Sequence, residues 1–124
     1  MNSLWLRYSN EEDDFDDIWF EFADKLKSLG FKTARPHSNN WYVHGEPWIY
    51  ENHRGWQIWV YMVPQWEQKE VFGHESNHHS IYGHIQKHRI LDKFELKPKT
   101  LSSLKSMVPK ALNKIEDYLK MIPK

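Results

Sequence analysis

Three residues in one short stretch have the types and spacing of a metal-dependent hydrolase. The stretch HESNHHSIYGH, residues 74–84, begins with the pattern H-E-x-x-H, formed by His74, Glu75 and His78. On a helix, two histidines four residues apart face the same side and can bind one zinc ion. A glutamate beside the first histidine can then accept a proton from the zinc-bound water. A zinc-dependent hydrolase with Glu75 as its general base is therefore one hypothesis for this chain.

A further histidine, His84, follows six residues after His78. With it, the stretch resembles the metzincin peptidases, whose pattern is H-E-x-x-H-x-x-G-x-x-H. The resemblance covers eleven residues and implies zinc bound by His74, His78 and His84, with Glu75 as the base. It departs from the metzincin pattern at position 81, where Ile81 stands in place of the glycine.

The residues around the motif do not favour the helix that this chemistry needs. Gly73 precedes it, and Ser76 and Asn77 lie between the two histidines; all three are poor helix formers. About 40 residues follow the motif, and their pattern is typical of packing helices and not of a substrate-binding subdomain. The favoured interpretation is a structural or interfacial histidine-rich loop, with no catalytic residue and no cofactor.

The second candidate site is aromatic, since the chain contains seven tryptophans. In the stretch GWQIWVYMV, residues 55–63, alternate side chains fall on opposite faces of a strand, so Trp59 and Tyr61 share one face. Both faces are largely apolar: either the strand is covered on both, or its second face is an exposed aromatic surface. Tryptophan and tyrosine dominate the hot spots of protein interfaces. The candidate binding residues are Trp41, Trp48, Trp59, Tyr61, Trp66 and His79.

Composition limits the class of protein. The formal net charge is zero, which disfavours a general nucleic-acid binder. There is no cysteine, which excludes disulfides and thiol catalysis and fits a cytoplasmic protein. No signal peptide and no stretch long enough to cross a membrane are expected. The charge is unevenly spread: residues 1–30 carry eight acidic and three basic groups, whereas residues 92–124 carry eight lysines and four acids.

The N-terminal third predicts a short strand followed by a helix. Residues 4–8 alternate in a way that favours a strand, and Ser9 or Asn10 is a candidate helix cap. From Phe15 to Leu29, apolar residues recur every three or four positions, which predicts an amphipathic helix. Gly30 is suited to end that helix in the left-handed conformation.

The middle of the chain predicts antiparallel strands joined by short turns. The predicted strands cover residues 31–35, 41–44, 47–51 and 56–63. Residues 64–90 have no clear pattern, although Ile81 and Ile85 have the spacing of a short helix.

Residues 101–122 have a helical period that is interrupted by Pro109. A proline inside a helix removes a hydrogen bond, so we expect either a kink there or a second helix that begins with Pro109. The sequence therefore predicts a single α+β domain over residues 1–124. Its antiparallel sheet of three to four strands is packed by an N-terminal amphipathic helix and a C-terminal helix, kinked or split at Pro109.

The function expected from these features is that of a small, non-enzymatic protein that binds another protein through an aromatic and histidine-rich surface. Small domains of this kind are often inhibitors, such as immunity proteins for toxins or phage-encoded antagonists of bacterial defence. The zinc-dependent hydrolase is one alternative. A binder of a flat ligand or of single-stranded nucleic acid is the other, although only Arg54, with Lys32 and Arg35 upstream, supplies positive charge near the rings. The sequence leaves the oligomeric state open.

Overall fold

The structure is a computed structural model that describes residues 3–33 and 44–123, with the backbone alone for residues 3–10. Its helices are α1 (Ser3–Ser28), α2 (Gln68–Phe72) and α3 (Leu101–Met121). Its strands are β1 (Lys32–Thr33), β2 (Trp48–Glu51), β3 (Gln57–Val63), β4 (Ser80–Lys87) and β5 (Arg89–Leu96). The predicted α+β class is confirmed, but the sheet has five strands where three to four were expected.

The five strands form one antiparallel meander in the order β1-β2-β3-β4-β5. Residues that are directly opposite one another on neighbouring strands point to the same face of the sheet. One row on the helix-covered face contains Thr33, Trp48, Val60, Gly83 and Phe94. The parallel row on the other face contains Lys32, Ile49, Trp59, His84 and Lys93.

Helix α1 buries the stripe that its sequence predicts. Phe15, Phe22 and Leu26 are at most 1% exposed, and Trp19 is also buried. Each such side chain contributes roughly 1.5–3 kcal/mol by its removal from water. After the helix, Gly30 adopts a φ of 98°, a left-handed conformation that suits glycine at a helix end.

The strand predicted over residues 4–8 is wrong, since these residues form the first turns of α1. Positions 4 and 8 are an even number apart, as in a strand, but they are also one helical turn apart. The spacing of Leu4 and Tyr8 is therefore compatible with both a strand and a helix. Ser9 and Asn10, predicted as helix caps, lie inside the same helix.

Helix α3 is one continuous helix through Pro109, so the second helix predicted to begin there is wrong. The Thr100 side chain caps the helix by accepting a hydrogen bond from the Ser103 backbone N–H at 3.0 Å. The helix buries a single stripe: Leu104, Val108, Ala111, Ile115 and Tyr118. Pro109 itself is exposed on the opposite side, where its missing N–H does not disturb the core.

Both long helices cover the same face of the sheet. Their buried stripes join the even-numbered residues of β3, Ile58, Val60 and Met62, in one apolar cluster. Helix α3 is also tied to the edge of the sheet, because the Tyr118 hydroxyl donates to the Asp92 carboxylate at 2.8 Å. No helix in the described ranges is long and apolar enough to cross a membrane.

Strands β4 and β5 form a hairpin that the sequence did not predict. Ile81 and Ile85, predicted to share the face of a helix, share the core face of β4 instead. A spacing of four residues fits both periods. Of the other predicted strands, those over residues 47–51 and 56–63 correspond to β2 and β3. Residues 34–43 lie outside the described ranges, and His44 lies in a turn.

Candidate functional site

The sheet has one face that the long helices do not cover. Around its centre lie Gln57, Trp59 and Tyr61 of β3 and Tyr82, His84 and Gln86 of β4; these six residues are called the open face below. All of them except His84 are partly exposed. Because β3 and β4 are central strands of the meander, their aromatic side chains meet in the middle of the sheet.

Helix α2 covers one end of this side of the sheet. Val63 and Ser80 lie opposite each other there and are fully buried. The Gln68 side-chain amide donates to the Val63 carbonyl oxygen at 3.2 Å and to the Ser80 hydroxyl oxygen at 3.1 Å. Gln68 thus anchors α2, and the open face begins where this cover ends.

A chain of side-chain hydrogen bonds crosses the open face and runs in one direction. His84 Nε2 is 2.9 Å from Gln86 Oε1, and Gln86 Nε2 donates to Gln57 Oε1 at 2.7 Å. Gln57 Nε2 then donates to the Glu51 carboxylate at 2.8 Å. The Trp59 indole N–H also donates to Gln57 Oε1, at 2.9 Å. Four polar side chains and one indole are thus held in a single arrangement that ends at a negative charge.

This chain determines the protonation of His84. An amide oxygen only accepts hydrogen bonds, so the proton of a neutral His84 is on Nε2. Burial lowers the pKa of His84, and the hydrogen bond to Gln86 offsets this only in part. His84 is therefore neutral at pH 7, with Nδ1 as a free acceptor that has no hydrogen-bond partner among the described residues.

The rings of the open face pack against one another. Trp59 and His84 are stacked, with ring centroids 5.7 Å apart and an interplanar angle of 17°. Tyr82 contacts His84 edge to face at 5.7 Å, and Tyr61 contacts Tyr82 at 6.0 Å. Such contacts hold each ring in one orientation. The result is a rigid aromatic surface, since both its rings and its polar groups are fixed by their neighbours.

A groove of about 560 Å³ lies between the open face and the segment that follows α2. Its floor includes Tyr61, Tyr82 and His84, and Phe72 and Val71 of α2 form part of its wall. The remaining lining residues are polar or charged: Gln68, His74, His78, Glu95 and Lys97.

The H-E-x-x-H motif does not lie on a helix. Helix α2 ends at Phe72, and Gly73 has a φ of 87°, so His74, Glu75 and His78 lie in an irregular segment. His74 and His78 line the groove with His84, but no group of three metal-ligating side chains forms in the part of the chain that the structure describes.

The predicted general base also lies apart from the histidines. Glu75 lines a different depression, together with Glu11 and Trp66, and not the groove that holds His74 and His78. The structure therefore lacks the helical geometry that the zinc-hydrolase hypothesis requires.

The other predicted binding residues are separated by the fold. Trp59 and Tyr61 lie on the open face, whereas Trp48 is 4% exposed and belongs to the core. His79 is also buried, and its Nδ1 accepts a hydrogen bond from the Gln65 backbone N–H at 2.9 Å. Trp66 packs edge to face against Phe15 and His79, away from the open face. Trp41 lies outside the described residues.

Sequence reasoning missed Tyr82 and Gln86, and it considered His84 only as a metal ligand. The signal was a period of two: Ser80, Tyr82, His84 and Gln86 alternate with Ile81, Gly83 and Ile85. Such alternation is typical of a strand with one covered face. The alternation is short and overlaps the histidine motif, whose spacing of four residues fits a helix as well as a strand.

A separate charged cluster lies between α1 and the start of α2. His44 Nε2 is 2.8 Å from Asp16, and His44 Nδ1 is 2.5 Å from Glu67. Burial by itself lowers the pKa of His44, but the hydrogen bonds and negative charges of Glu67 and Asp16 outweigh burial and raise the pKa. The cluster ties three distant segments together and stabilises a charged imidazole.

Comparison of the chain with protein-family models, with curated proteins and with solved structures found no match. The class that the fold and site define is an α+β domain with one helix-covered and one open, aromatic sheet face.

Proposed function

We propose that this chain is a non-enzymatic protein that binds another protein through the open face. The observation that carries the proposal is the position of Trp59, Tyr61 and Tyr82, which are partly exposed at the centre of the sheet on the face without long helices. Aromatic side chains at the centre of a surface are typical of binding hot spots. Their fixed orientation lowers the entropy that is lost on binding.

The surroundings of the open face also favour a protein partner. Basic and acidic side chains are mixed at its rim, with Lys32, Lys93 and Lys97 near Glu51 and Glu95. Protein interfaces commonly combine an aromatic centre with a polar rim. A single-stranded nucleic acid would favour a rim of uniform positive charge, which these residues do not provide. We propose that the protein is an inhibitor, either an immunity protein for a toxin or an antagonist of a bacterial defence system, and that it binds its target through this surface.

The test compares partner capture by variants of the open face with capture by a control. We expect Trp59→Ala and Tyr82→Ala to weaken capture about tenfold or more, with circular dichroism and the thermal midpoint little changed. Met121→Ala is the matched control, because Met121 is 51% exposed on α3 and lies on the other side of the sheet. Capture that is unaffected by both aromatic variants, with folding intact, would rule out the open face as the binding surface.

A flat small molecule is a second candidate occupant, because the groove has a favourable volume. Ligand pockets commonly measure about 300–1,000 Å³, and the groove of about 560 Å³ has tyrosine rings and the neutral His84 along its floor. Titration with a panel of nucleosides and sugars, monitored by tryptophan fluorescence, tests this candidate. Quenching that disappears in Trp59→Phe and Tyr82→Ala would support it, and an unchanged spectrum across the panel would count against it.

A further inference from the structure

Strand β5 forms one edge of the sheet, and its outer backbone groups pair with no other strand in the described part of the chain. Six of its eight residues, Arg89 to Lys93 and Glu95, are exposed. Ile90 and Leu91 are large apolar residues with exposures of 50% and 43%. An open edge of this length is a template for another strand.

A second copy of the chain can pair with this edge only in a few registers. For two identical antiparallel strands related by a two-fold axis, opposite residues must point to the same face, so the axis passes through a residue. In the straight part of β5 that residue can be Asp92, Lys93, Phe94 or Glu95. An axis at Leu96 is excluded, because it would pair residues beyond the end of the strand, including Pro98, which has no N–H to donate. The bulge opposite Ile85 and Gln86 separates this part from the hairpin tip.

Charge distinguishes these four registers. An axis at Asp92, Lys93 or Glu95 places that residue directly opposite its own copy, which puts like charges together. An axis at Phe94 instead places Lys93 opposite Glu95 of the second copy, and Glu95 opposite Lys93. Both pairs lie on the side of the sheet that carries the open face, so only this register brings opposite charges together twice.

The packing of Phe94 also suits this register. A Cβ atom on Gly83 would lie 2.5 Å from the Phe94 ring, so the ring lies over Gly83 on the neighbouring strand β4. The ring is therefore directed into the sheet and away from the outer edge. This leaves room for the backbones of two Phe94 residues to approach each other across the axis.

We propose that two copies of this chain pair antiparallel through β5, with the two-fold axis at Phe94, to form one continuous ten-stranded sheet. The Lys93–Glu95 pairs select the register, and the backbone hydrogen bonds of the two edges hold it. The proposal does not rest on the function proposed above, because it uses the edge of the sheet and not the open face. It would stand if the open face had no partner.

The experiment is a charge swap, measured by analytical ultracentrifugation over concentrations from about 10 µM to about 500 µM, the range suited to a small interface. We expect a concentration-dependent monomer–dimer equilibrium for the wild type. Lys93→Glu and Glu95→Lys should each weaken dimerisation about tenfold or more, because each turns both opposite-charge pairs into like-charge pairs. An equimolar mixture of the two variants should form a heterodimer, and the double variant should dimerise like the wild type.

Lys32→Glu is the matched control, because it makes the same charge change on the same face at the opposite edge of the sheet. We expect it to dimerise like the wild type. A wild-type chain that stays monomeric throughout this range would overturn the proposal. So would single variants that dimerise as well as the wild type, or a mixture that fails to associate while both variants remain folded by circular dichroism.

Discussion

His44 illustrates at the scale of a single residue how buried charge makes stability depend on pH. Its pKa is raised in the folded chain by Glu67 and Asp16, in spite of burial. A base with a raised pKa contributes stability that is fully present below its unfolded pKa of about 6.5 and is lost as the pH rises through the folded value. We expect His44→Gln to cost on the order of 1–2 kcal/mol near pH 5.5 and clearly less near pH 8.5. Urea unfolding at both pH values measures this difference.

The stability of the wild type must be compared with that of a variant at each pH, because other histidines change the pH dependence of stability in the opposite direction. Burial lowers the pKa of His79 and of His84, so these residues destabilise the fold in acid. His53→Gln serves as the control, since His53 is exposed in the turn between β2 and β3. It should change stability by less than about 0.5 kcal/mol at both pH values. A cost of His44→Gln that is equal at the two pH values would contradict the assignment of a charged imidazole.

The candidate site could be predicted only in part at this scale. The alternation of residues along β3 correctly placed Trp59 and Tyr61 on one face of the strand and Val60 on the other. The contact of Trp59 with His84 could not be predicted, because it depends on the register between β3 and β4, which no local pattern specifies. For the same reason, the burial of His79 and Trp48 could not be derived from their types alone.

At the scale of elements, the helices and strands with a long and regular apolar pattern were those that could be predicted from the sequence. Helix α1 from Phe15 onward, helix α3, and strand β3 each carry a long apolar pattern of one period, and they were predicted. The hairpin of β4 and β5 was not, because β5 is mostly exposed and has no buried stripe. Gly83 added to the difficulty, since a glycine is unfavourable inside a helix or a strand, whereas here it is a packing site for Phe94.

Gly83 makes a testable contribution to this hairpin. An added Cβ would lie 2.5 Å from the Phe94 ring, so Gly83→Ala forces the ring to move, at a cost of about 1–3 kcal/mol. Urea unfolding measures the loss. The double variant Gly83→Ala with Phe94→Leu should lose less than the sum of the two single variants, because the smaller side chain relieves the contact. Strict additivity would show that the ring is not the cause.

Pro109 makes a different contribution to α3. It lies inside a continuous helix, cannot donate to the carbonyl of the preceding turn, and is exposed. We expect Pro109→Ala to raise stability by about 1–3 kcal/mol, measured by thermal unfolding. Lys110→Ala, at the exposed neighbouring position, should change it by less than about 0.5 kcal/mol. A lower stability of Pro109→Ala would instead show that the packing of Val108 and Ala111 depends on the proline.

At the scale of the whole molecule, the two proposals combine in a simple way. Pairing through β5 keeps the two sheets continuous, so the open faces of two copies point to the same side. A partner that carries two equivalent binding sites could then contact both open faces of one dimer. Such a dimer would bind more tightly than the monomer without any new contact, because the second binding step becomes intramolecular.

The strictly sequential order of the strands has a consequence for the time course of folding. Every strand pairs with its neighbour in the chain, so the meander can assemble by closing local connections, of which the longest span residues 34–47 and 64–79. The contact between α1 and α3 brings together segments that the entire sheet separates in sequence, and we expect it to form last. Val60→Ala in β3 should therefore slow refolding, whereas Leu104→Ala in α3 should chiefly speed unfolding. Stopped-flow fluorescence separates these rates, and equal slowing of refolding by both variants would mean that the helices close early.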